Sequence, residues 1–286
     1  MGQRFDRVVA LPPTDSLAPR IISDYERALH ADGRRHLGLF ALEGYRLLER
    51  ALSTSAPLTH VLLSDQAHLD PSPRLQTLLQ NLQRNGEQLI SIPQSTMERL
   101  TEGRTLGPIL ALAKIPASPD LPTFFSQLSL GSRSKILVLD EMMDPGNVGA
   151  LLRTAHAMGV SAVFAIGGTD PYHPRAARTS MGSIFRVPTL RLTHVDPLLS
   201  LFRQHQIFTV GATPEAQTLL PSVVLPDQPV ALFVGNEGKG LSSSVRPLLD
   251  LLVAIPMTNS VDSLSINAAT AVTLYALTHP SKTRPV

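Results

Sequence analysis

Short apolar runs alternate with helical patterns along most of this 286-residue chain. The alternation is clearest in the second half, where strands are predicted at 135–141, 161–166, 206–212, 229–235 and 251–256, and helices from 147, near 174–181 and through 269–277. The strand runs consist of Val, Leu, Ile and Phe without polar alternation, which is typical of parallel strands buried on both faces. The alternation therefore predicts an α/β fold built on a parallel sheet.

The first half alternates in the same way and predicts a second, smaller α/β domain. Strands are predicted at 37–44, 59–65, 88–93 and 108–116, helices at 45–52 and 72–86, and helix-forming stretches over 17–36 with a break at Gly33. Proline, serine and glycine accumulate over 116–134, which is typical of a connecting segment. The predicted division is an N-terminal domain over 1–116, a linker over 117–134 and a C-terminal domain over 135–286.

Composition removes several classes of function. With 43% hydrophobic and 17% charged residues, the chain can bury a core, and its net charge of +2 gives little indication of nucleic acid by itself. The absence of cysteine excludes disulfides, thiolate zinc sites and a cysteine nucleophile, and the histidines lack metal-ligand spacing. No apolar run approaches the ~20 residues of a membrane span. The first residues also lack a signal-peptide core. A soluble, cytoplasmic protein without a metal is expected.

The stretch VGNEGKGLS (234–242) resembles a phosphate-binding loop only in part. Gly235 and Gly240 have the Walker spacing, but Leu241 stands where the phosphate-reaching lysine belongs. Glu237 would repel a triphosphate. The loop is therefore predicted to serve a ligand without phosphates, which a glycine-rich turn can approach closely.

Four polar or glycine-rich stretches follow predicted strands. They are DEMMDPGNVGALLRT (140–154), GATPEA (211–216), GNEGKGLS (235–242) and IPMTNSVDSLSIN (255–267). Open parallel sheets bind ligands at the carboxyl ends of their strands. The four stretches are therefore predicted to share one site.

The helix after the first of these stretches is predicted to begin at an Asn147 cap and to stop at Gly159. Arg153 falls off its apolar stripe. Because helical side chains lean toward the N-terminus, Arg153 can reach back over the loop at 144–147. The alternative interpretation is an ordinary surface arginine.

In their order and spacing, these stretches resemble the SpoU family of RNA 2′-O-methyltransferases, within the knotted SPOUT superfamily. The resemblance covers about residues 25–278. The first, second and third family motifs are similar to DPGNVGALLRTAHAMG, LFVGNEGKGLS and IPMTNSVDSLSINAATA, and a run of the form P-x-x-x-R-x-S-M-G lies in DPYHPRAARTSMGSIFRVP. In the first half, LGLFALEGYRLLERAL and LTEGRTLGPILALAKIP resemble the small ribosomal-protein-like module of rRNA-type members.

The resemblance implies a trefoil-knotted C-terminal methyltransferase domain with a smaller N-terminal RNA-binding domain. It also implies S-adenosylmethionine as cofactor, RNA as substrate and a homodimer. By position, the implied cofactor contacts are Gly235, Ile255 and Leu264. The implied catalytic set is Arg153, Asn147 orienting Arg153 or the ribose, Glu237 holding Arg153 or a loop, Ser263 and Asn267.

The third motif departs from the family pattern S-L-N followed two residues later by Ser. Here the order is Ser263, Leu264, Ser265, Ile266, Asn267, so Asn and Ser have exchanged places. Only an amide offers two donors and an acceptor, and we expect Asn267 to supply it. This requires the last helix to begin at or after Ser265, because two residues along a helix rotate a side chain by ~200°.

The leading interpretation is an rRNA ribose 2′-O-methyltransferase. A tRNA methyltransferase is the first alternative, although tRNA-type members usually have only short extensions. A non-catalytic RNA-binding relative is the second, and the altered third motif is the feature that favours it.

Overall fold

The computed structural model describes residues 17–70, 72–104, 106–117, 119–258 and 263–278. The chain forms two compact units. Unit 1 holds the described residues up to Pro116 together with Tyr172–Phe185, and unit 2 holds those of 117–171 and from Arg186 onward. The segment Tyr172–Phe185 thus departs from the predicted C-terminal domain. The reason is packing, since Tyr172, Ala177 and Phe185 contribute to a hydrophobic cluster of unit 1.

The bounds of the regular elements are as follows. The helices are α1 (Ala18–Ala28), α2 (Ala31–Leu37), α3 (Tyr45–Ser53), α4 (Pro73–Arg84), α5 (Gln94–Leu100), α6 (Leu121–Ser126), α7 (Pro145–Ala157), α8 (Pro174–Thr179), α9 (Asp196–Gln204) and α10 (Ile266–Thr278). The strands are β1 (Leu39–Glu43), β2 (Leu58–Ser64), β3 (Leu89–Ile92), β4 (Ile109–Lys114), β5 (Lys135–Asp140), β6 (Ala162–Ile166), β7 (Thr189–Leu192), β8 (Phe208–Ala212), β9 (Thr218–Leu219), β10 (Val230–Val234) and β11 (Leu251–Ala254).

Unit 1 is built on a sheet of four strands in the order β1-β4-β2-β3. β4 pairs antiparallel with both β1 and β2, whereas β2 and β3 are parallel. Successive side chains of a strand point to opposite faces, so the apolar runs contribute residues to two hydrophobic cores. Phe40 and Leu42 pack with α3 and α4, and Ala41 packs with α1 and α5. The four predicted strands are confirmed.

The predicted helix break at Gly33 is wrong. The break lies at Leu29 and His30, between α1 and α2, and Gly33 is inside α2. A Cβ added at Gly33 would lie 1.9 Å from the backbone oxygen of Arg27. The glycine therefore permits α2 to fold back closely on α1, and α2 itself ends at Gly38 with a φ of +64°.

Unit 2 is built on seven parallel strands in the order β7-β6-β5-β10-β8-β11-β9. The five predicted strands form its centre and are confirmed. The two edge strands, β7 and β9, were not predicted. β7 has only one fully buried residue, Leu190, and β9 has two residues in all, so neither carries the continuous apolar signal.

The predicted linker contains α6 and belongs to the body of unit 2. Asp120 caps this helix by accepting a hydrogen bond from the Thr123 N–H at 2.8 Å. Phe124 and Phe125 are buried, and the Phe124 ring lies 5.5 Å from that of Phe164. The prolines of this segment therefore begin a short packed helix and do not form a spacer.

Candidate active site

The loops after β5, β10, β8 and β11 share one edge of the unit 2 sheet. These strands are neighbours, and their pairings are parallel. Val234 pairs with both Leu139 and Ala212, so three of the strands end nearly level. The four stretches predicted to share a site therefore begin side by side at the carboxyl edge, where such sheets bind ligands.

The loop after β5 enters α7 through a cap formed by Asp144. Its carboxylate accepts a hydrogen bond from the backbone N–H of Asn147 at 2.9 Å, and Pro145 follows at the start of the helix. The predicted cap at Asn147 is wrong, because an extended aspartate followed by proline begins the helix earlier. The predicted stop is confirmed, with Gly159 at a φ of +64°. Since it does not cap, the Asn147 side chain can serve the site.

Three side chains, from the first turn of α7, the loop after β10 and the first turn of α10, form one hydrogen-bonded chain, which we call the amide relay (Asn147, Glu237 and Asn267). The Asn147 amide donates to the Glu237 carboxylate. The Asn267 amide donates to the Asn147 carbonyl oxygen at 2.9 Å. These partners lie 90 and 120 residues from Asn147 in the chain, so the fold alone brings them together.

The charged member of the amide relay fixes its direction. A carboxylate only accepts hydrogen bonds, so Glu237 requires the N–H₂ end of Asn147. The carbonyl end of Asn147 then requires the N–H₂ end of Asn267. This leaves Oδ1 of Asn267 buried and, within the described residues, without a hydrogen-bond partner. An unpaired buried acceptor costs free energy, and a donor group on a ligand would remove that cost.

Arg153 lies on the exposed side of α7. Leu151 and Leu152 beside it are buried, and Arg153 is exposed, as its place off the apolar stripe predicts. In the part of the chain that the structure describes, its guanidinium makes no hydrogen bond or ion pair. Glu237, one predicted holder of Arg153, is bonded by Asn147 instead. The guanidinium is therefore available to a ligand.

The loop after β10 closes on itself. Asn236 and Gly240 exchange two backbone hydrogen bonds of 2.9 and 2.8 Å. The side-chain oxygen of Asn236 also accepts from the N–H groups of Gly238 and Lys239, at 2.9 and 3.3 Å. A phosphate-binding loop keeps such amides for its ligand. Since Asn236 already occupies them, this loop offers no phosphate cradle.

Gly235 permits that closure. A Cβ at this position would lie 2.1 Å from the backbone carbonyl of Gly240, a separation that no side chain can adopt. The sequence assigned Gly235 to the close approach of a ligand. The structure gives it a second role, the close approach of the loop's own backbone.

Ser242, at the hydroxyl position of the Walker pattern, binds a buried carboxylate. Its N–H and Oγ donate to Asp140 at 2.7 and 3.1 Å. Asp140 is 1% exposed. Burial raises the pKa of its carboxyl group, and the two Ser242 donors oppose that shift. Asp140 thereby ties the end of β5 to the loop after β10, a contact that the sequence did not predict because its partners are 102 residues apart.

The last helix begins where the exchange of serine and asparagine in the third motif requires, after Ser265. α10 begins at Ile266. Ser265 caps it, its Oγ accepting from the Ala268 N–H at 3.4 Å and its carbonyl oxygen from the Ala269 N–H at 2.9 Å. Asn267, inside the first turn, points into the amide relay. The prediction that the helix begins at or after Ser265 is confirmed, while residues 259–262 of the motif lie outside the described residues.

The other predicted residues lie at the same edge and take no part in the amide relay. Ser263 is exposed, Leu264 is 40% exposed and Ile255 is half-buried. Met143, in the loop after β5, is 62% exposed. Apolar side chains beside hydrogen-bonding groups, with no phosphate cradle, fit a ligand such as S-adenosylmethionine, which has an aromatic ring and polar ends but no phosphate.

Two further observations concern the part of the chain that the structure describes. It contains no group of three or more His, Asp or Glu side chains arranged to hold a metal ion. None of its helices combines the length and apolar character needed to cross a membrane.

Comparison with known proteins gives this site a family. Residues 134–275 match the SpoU rRNA Methylase family. The 23S rRNA (guanosine-2'-O-)-methyltransferase RlmB of Pasteurella multocida (strain Pm70) is 36% identical over 209 residues, covering 71% of this chain and 84% of the relative. The 23S rRNA (guanosine(2553)-2'-O)-methyltransferase RlmP of Bacillus subtilis (strain 168) is 28% identical over 261 residues, covering 90% of this chain and 95% of the relative.

A solved structure matches both units of the fold. The SpoU methyltransferase AviRb from Streptomyces viridochromogenes, in complex with the cofactor AdoMet, has a TM-score of 0.78 at 24% identity and covers 90% of this chain and 96% of its own. That likeness concerns the fold, and it confirms the predicted α/β class. Fold and site together define an RNA-modifying α/β methyltransferase. More narrowly, the chain belongs to the SpoU family of rRNA methylases.

Proposed function

We propose that this protein transfers a methyl group from S-adenosylmethionine to a ribose 2′-hydroxyl of rRNA. The observation that carries the proposal is the amide relay at the carboxyl edge of the unit 2 sheet, built from all three motifs of the family resemblance. Family membership supports the reaction class. The names of both relatives, 23S rRNA 2′-O-methyltransferases, support the substrate class.

The cofactor is assigned to Gly235, Ile255 and Leu264. Leu264 and Ile255 offer apolar contacts at the ends of the loops, and the closed loop after Gly235 offers backbone carbonyl oxygens, since Asn236 already binds the N–H groups of Gly238 and Lys239. When bound, S-adenosylmethionine supplies an electrophilic methyl group on a sulfonium cation. The absence of a phosphate cradle in the loop after β10 agrees with a cofactor that has no phosphates.

Arg153 is assigned to the oxygen that attacks. A ribose 2′-hydroxyl is a very weak acid, so negative charge develops on its oxygen as its proton passes to solvent water. A fixed cationic donor stabilises such an oxygen most strongly where water is excluded. Guanidinium groups do not act as bases in proteins, so we assign Arg153 to stabilising the oxygen or gripping the adjacent phosphate, and not to accepting the proton.

The amide relay is assigned to positioning the ribose. The free acceptor Oδ1 of Asn267 takes a hydrogen bond from a sugar hydroxyl. Glu237 acts through Asn147, because its carboxylate sets which end of each amide faces the ligand. Ser263 is exposed beside Leu264, and offers a further hydroxyl to the same ligands.

Methyl transfer from radiolabelled S-adenosylmethionine to an unmodified 23S rRNA transcript tests the reaction. A 2′-O-methyl group blocks alkaline cleavage at the next phosphate, so an alkali-resistant labelled dinucleotide is expected. A tRNA transcript runs in parallel, and label in tRNA alone would move the assignment to tRNA.

The same experiment separates the enzyme from a non-catalytic relative. No transfer to either RNA, together with no heat of S-adenosylmethionine binding in calorimetry, would contradict the proposal. The exchange of Ser265 and Asn267 was the feature that favoured loss of activity. Because Asn267 still donates to Asn147, that feature loses its weight.

A homodimer belongs to the same proposal. Val272 and Tyr275 of α10 are 44% and 58% exposed, and Ala268 is exposed one turn earlier. An exposed apolar stripe of this kind marks an interaction surface. Light scattering should give twice the mass of one chain, and Tyr275→Glu should reduce it to the mass of one chain.

A cytoplasmic location, RNA binding by residues 1–116 and the trefoil knot stay predictions.

A further inference from the structure

Helix α3 of unit 1 carries two arginines that have no carboxylate partner within the described residues. Arg46 and Arg50 lie one turn apart on α3, and both are exposed. Within the described residues neither guanidinium forms an ion pair, and Arg46 contacts the sulfur of Met181 at 3.8 Å. The acid of the same helix, Glu49, is bonded at both oxygens by Arg74, each at 2.6 Å. The two positive charges of Arg46 and Arg50 therefore remain unneutralised.

The segment Tyr172–Phe185 adds a third arginine. Arg178 donates to the Glu43 carboxylate at 2.5 Å, and Arg104 donates to its other oxygen at 3.1 Å. The Glu43 side chain is 1% exposed, whereas those of Arg178 and Arg104 are 25% and 31% exposed. Arg104 also pairs with the exposed Glu102. Glu43 thus holds both guanidinium groups, and the partly exposed Arg178 uses one of its N–H groups for that bond.

A strained turn brings Arg178 to the arginines of α3. Met181 and Gly182 have φ values of +54° and +93°. A Cβ added at Gly182 would lie 2.4 Å from Cγ of Arg50, so the turn rests directly on that side chain. A left-handed methionine costs free energy and persists only where its surroundings impose it. The turn therefore fixes Arg46, Arg50 and Arg178 as one surface, the arginine face.

Several arginines elsewhere on unit 1 form ion pairs with nearby acids: Arg27 with Asp24, Arg35 with Asp32, and Arg99 with Glu26. Arg20 on α1 and Arg84 on α4 form none within the described residues, but they lie on separate helices. The arginine face differs from both because Arg46 and Arg50 lie one turn apart on one helix and the turn at Met181 and Gly182 contacts both side chains.

We propose that the arginine face (Arg46, Arg50 and Arg178) binds the phosphate backbone of the RNA substrate. The guanidinium fork matches a phosphate with two parallel hydrogen bonds. Contacts of this kind supply affinity and set position without reading sequence. The inference rests on the proposed methyltransferase function. It gives unit 1 a defined task, which is to hold structured RNA by its backbone while unit 2 methylates it.

The test compares two double variants of the full chain that each lose two positive charges. Arg46→Gln/Arg50→Gln removes charge from the arginine face and keeps the stem that packs on Gly182. Arg20→Gln/Arg84→Gln is the matched control, because both residues are exposed on α1 and α4. Filter binding with an unmodified 23S rRNA transcript is measured across a series of KCl concentrations.

The arginine-face variant should bind about ten-fold more weakly near physiological salt. Its plot of log affinity against log salt should lose roughly 1.4 to 1.8 of its slope, about 0.7 to 0.9 per lost phosphate contact. The control should keep both the wild-type slope and the wild-type turnover.

Equal slopes in the two variants, or no change in either, would overturn the arginine face. Wild-type methyl transfer to the same transcript tells apart the two ways of failing. If the wild type methylates the RNA while the slopes are equal, the surface alone is wrong. If the wild type neither binds nor methylates the transcript, the proposed function fails with it.

Discussion

Glu43 and Asp140 are each the last residue of a strand, and each is buried. Glu43, in unit 1, is held by the guanidinium groups of Arg104 and Arg178. Asp140, in unit 2, is held by the neutral N–H and hydroxyl of Ser242. A buried carboxylate at the end of a strand is therefore held by charged partners in unit 1 and by neutral partners in unit 2.

The candidate active site repeats the pattern of Asp140. Its carboxylate Glu237 is bonded by the neutral amide of Asn147, and its cation Arg153 has no ion pair within the described residues. Glu43 of unit 1 thus fixes two arginines. Asp140 and Glu237 of unit 2 are held by neutral groups, and the charge of Arg153 is left for a ligand. The comparison suggests that the charges of unit 1 organise a surface, whereas those of the unit 2 site are reserved for chemistry.

The largest expected effect concerns the positive charge of Arg153. Arg153→Ala should slow methyl transfer by roughly 10²–10³, the cost of removing one donor from a developing oxyanion. Cofactor affinity measured by calorimetry should be nearly unchanged. Arg153→Lys should recover little, because an ammonium cannot reproduce the guanidinium fork.

Arg203→Ala serves as the control for that change, since Arg203 is exposed on α9 and should leave the rate unaltered. Near-wild-type turnover of Arg153→Ala at saturating RNA would show that the arginine has no catalytic part.

The second prediction concerns the ion pairs of Glu43. Glu43→Gln keeps the shape but leaves Arg104 and Arg178 without their shared carboxylate. It should lower the free energy of unfolding of unit 1 by about 3 kcal/mol, the low end for breaking a buried ion pair, because both arginines reach solvent. Urea denaturation followed by circular dichroism measures it.

The matched variant is Glu49→Gln, which breaks an exposed pair with Arg74. Because the Glu49 and Arg74 side chains are 37% and 45% exposed, the free energy of unfolding should fall by less than about 1 kcal/mol. Equal losses for the two variants would remove the distinction between the buried cluster and an ordinary surface pair.

The third prediction tests the amide relay. Asn267→Ala removes both the donor to Asn147 and the free acceptor, and should slow single-turnover methylation about ten-fold or more, because a misplaced ribose reacts more slowly. Asn267→Asp keeps an acceptor but loses the donor, so the Asn147 amide is no longer oriented.

If Asn267 only filled space, Asn267→Ala would leave the rate constant unchanged in protein of wild-type mass and fold. A loss in Asn267→Ala that Asn267→Asp partly restores would instead identify the acceptor as the group that matters.

The smallest expected effect is a pH dependence at Asp140. Its pKa is raised above the ordinary value of 3.8, chiefly by burial, so the folded state holds the proton more tightly than the unfolded state. The free energy of unfolding should therefore fall as the pH rises from about that ordinary value through the raised folded one. Asp140→Asn should remove this contribution, because its amide can still bond Ser242.

Urea midpoints of wild type and Asp140→Asn across the acidic range provide the measurement. The two curves should diverge with rising pH, the variant keeping more stability. Parallel curves would mean that Asp140 does not titrate differently in the folded protein.

Periodicity alone predicted the centre of each unit. The inner strands of both sheets and the main helices are where continuous apolar runs place them, because burial on two faces leaves a strong sequence signal. Elements that carry no continuous apolar run were not predicted, namely the edge strands β7 and β9 and the helices α5, α6 and α9. Gly33 was misread because a glycine that permits close helix packing looks the same in sequence as one that ends a helix.

For the candidate site too, the sequence predicted some features and missed others. The sequence identified which loops meet, and it placed Arg153 off the core stripe, since both follow from strand ends and helical spacing. It could not identify the contact of Asp140 with Ser242, because these residues lie 102 positions apart. The cap at Asp144 was missed although an aspartate followed by proline is a sequence signal for a helix start.

By itself, the sequence determined the α/β class, the parallel sheet of unit 2, the edge that carries the site and, through its motifs, the family. Only the tertiary structure decided that Asn147, Glu237 and Asn267 form a directed chain, and that Tyr172–Phe185 packs with unit 1 to complete the arginine face. The reason is physical. Burial and periodicity act on neighbours along the chain, whereas the direction of a hydrogen bond and the sharing of a carboxylate depend on atoms that meet only after folding.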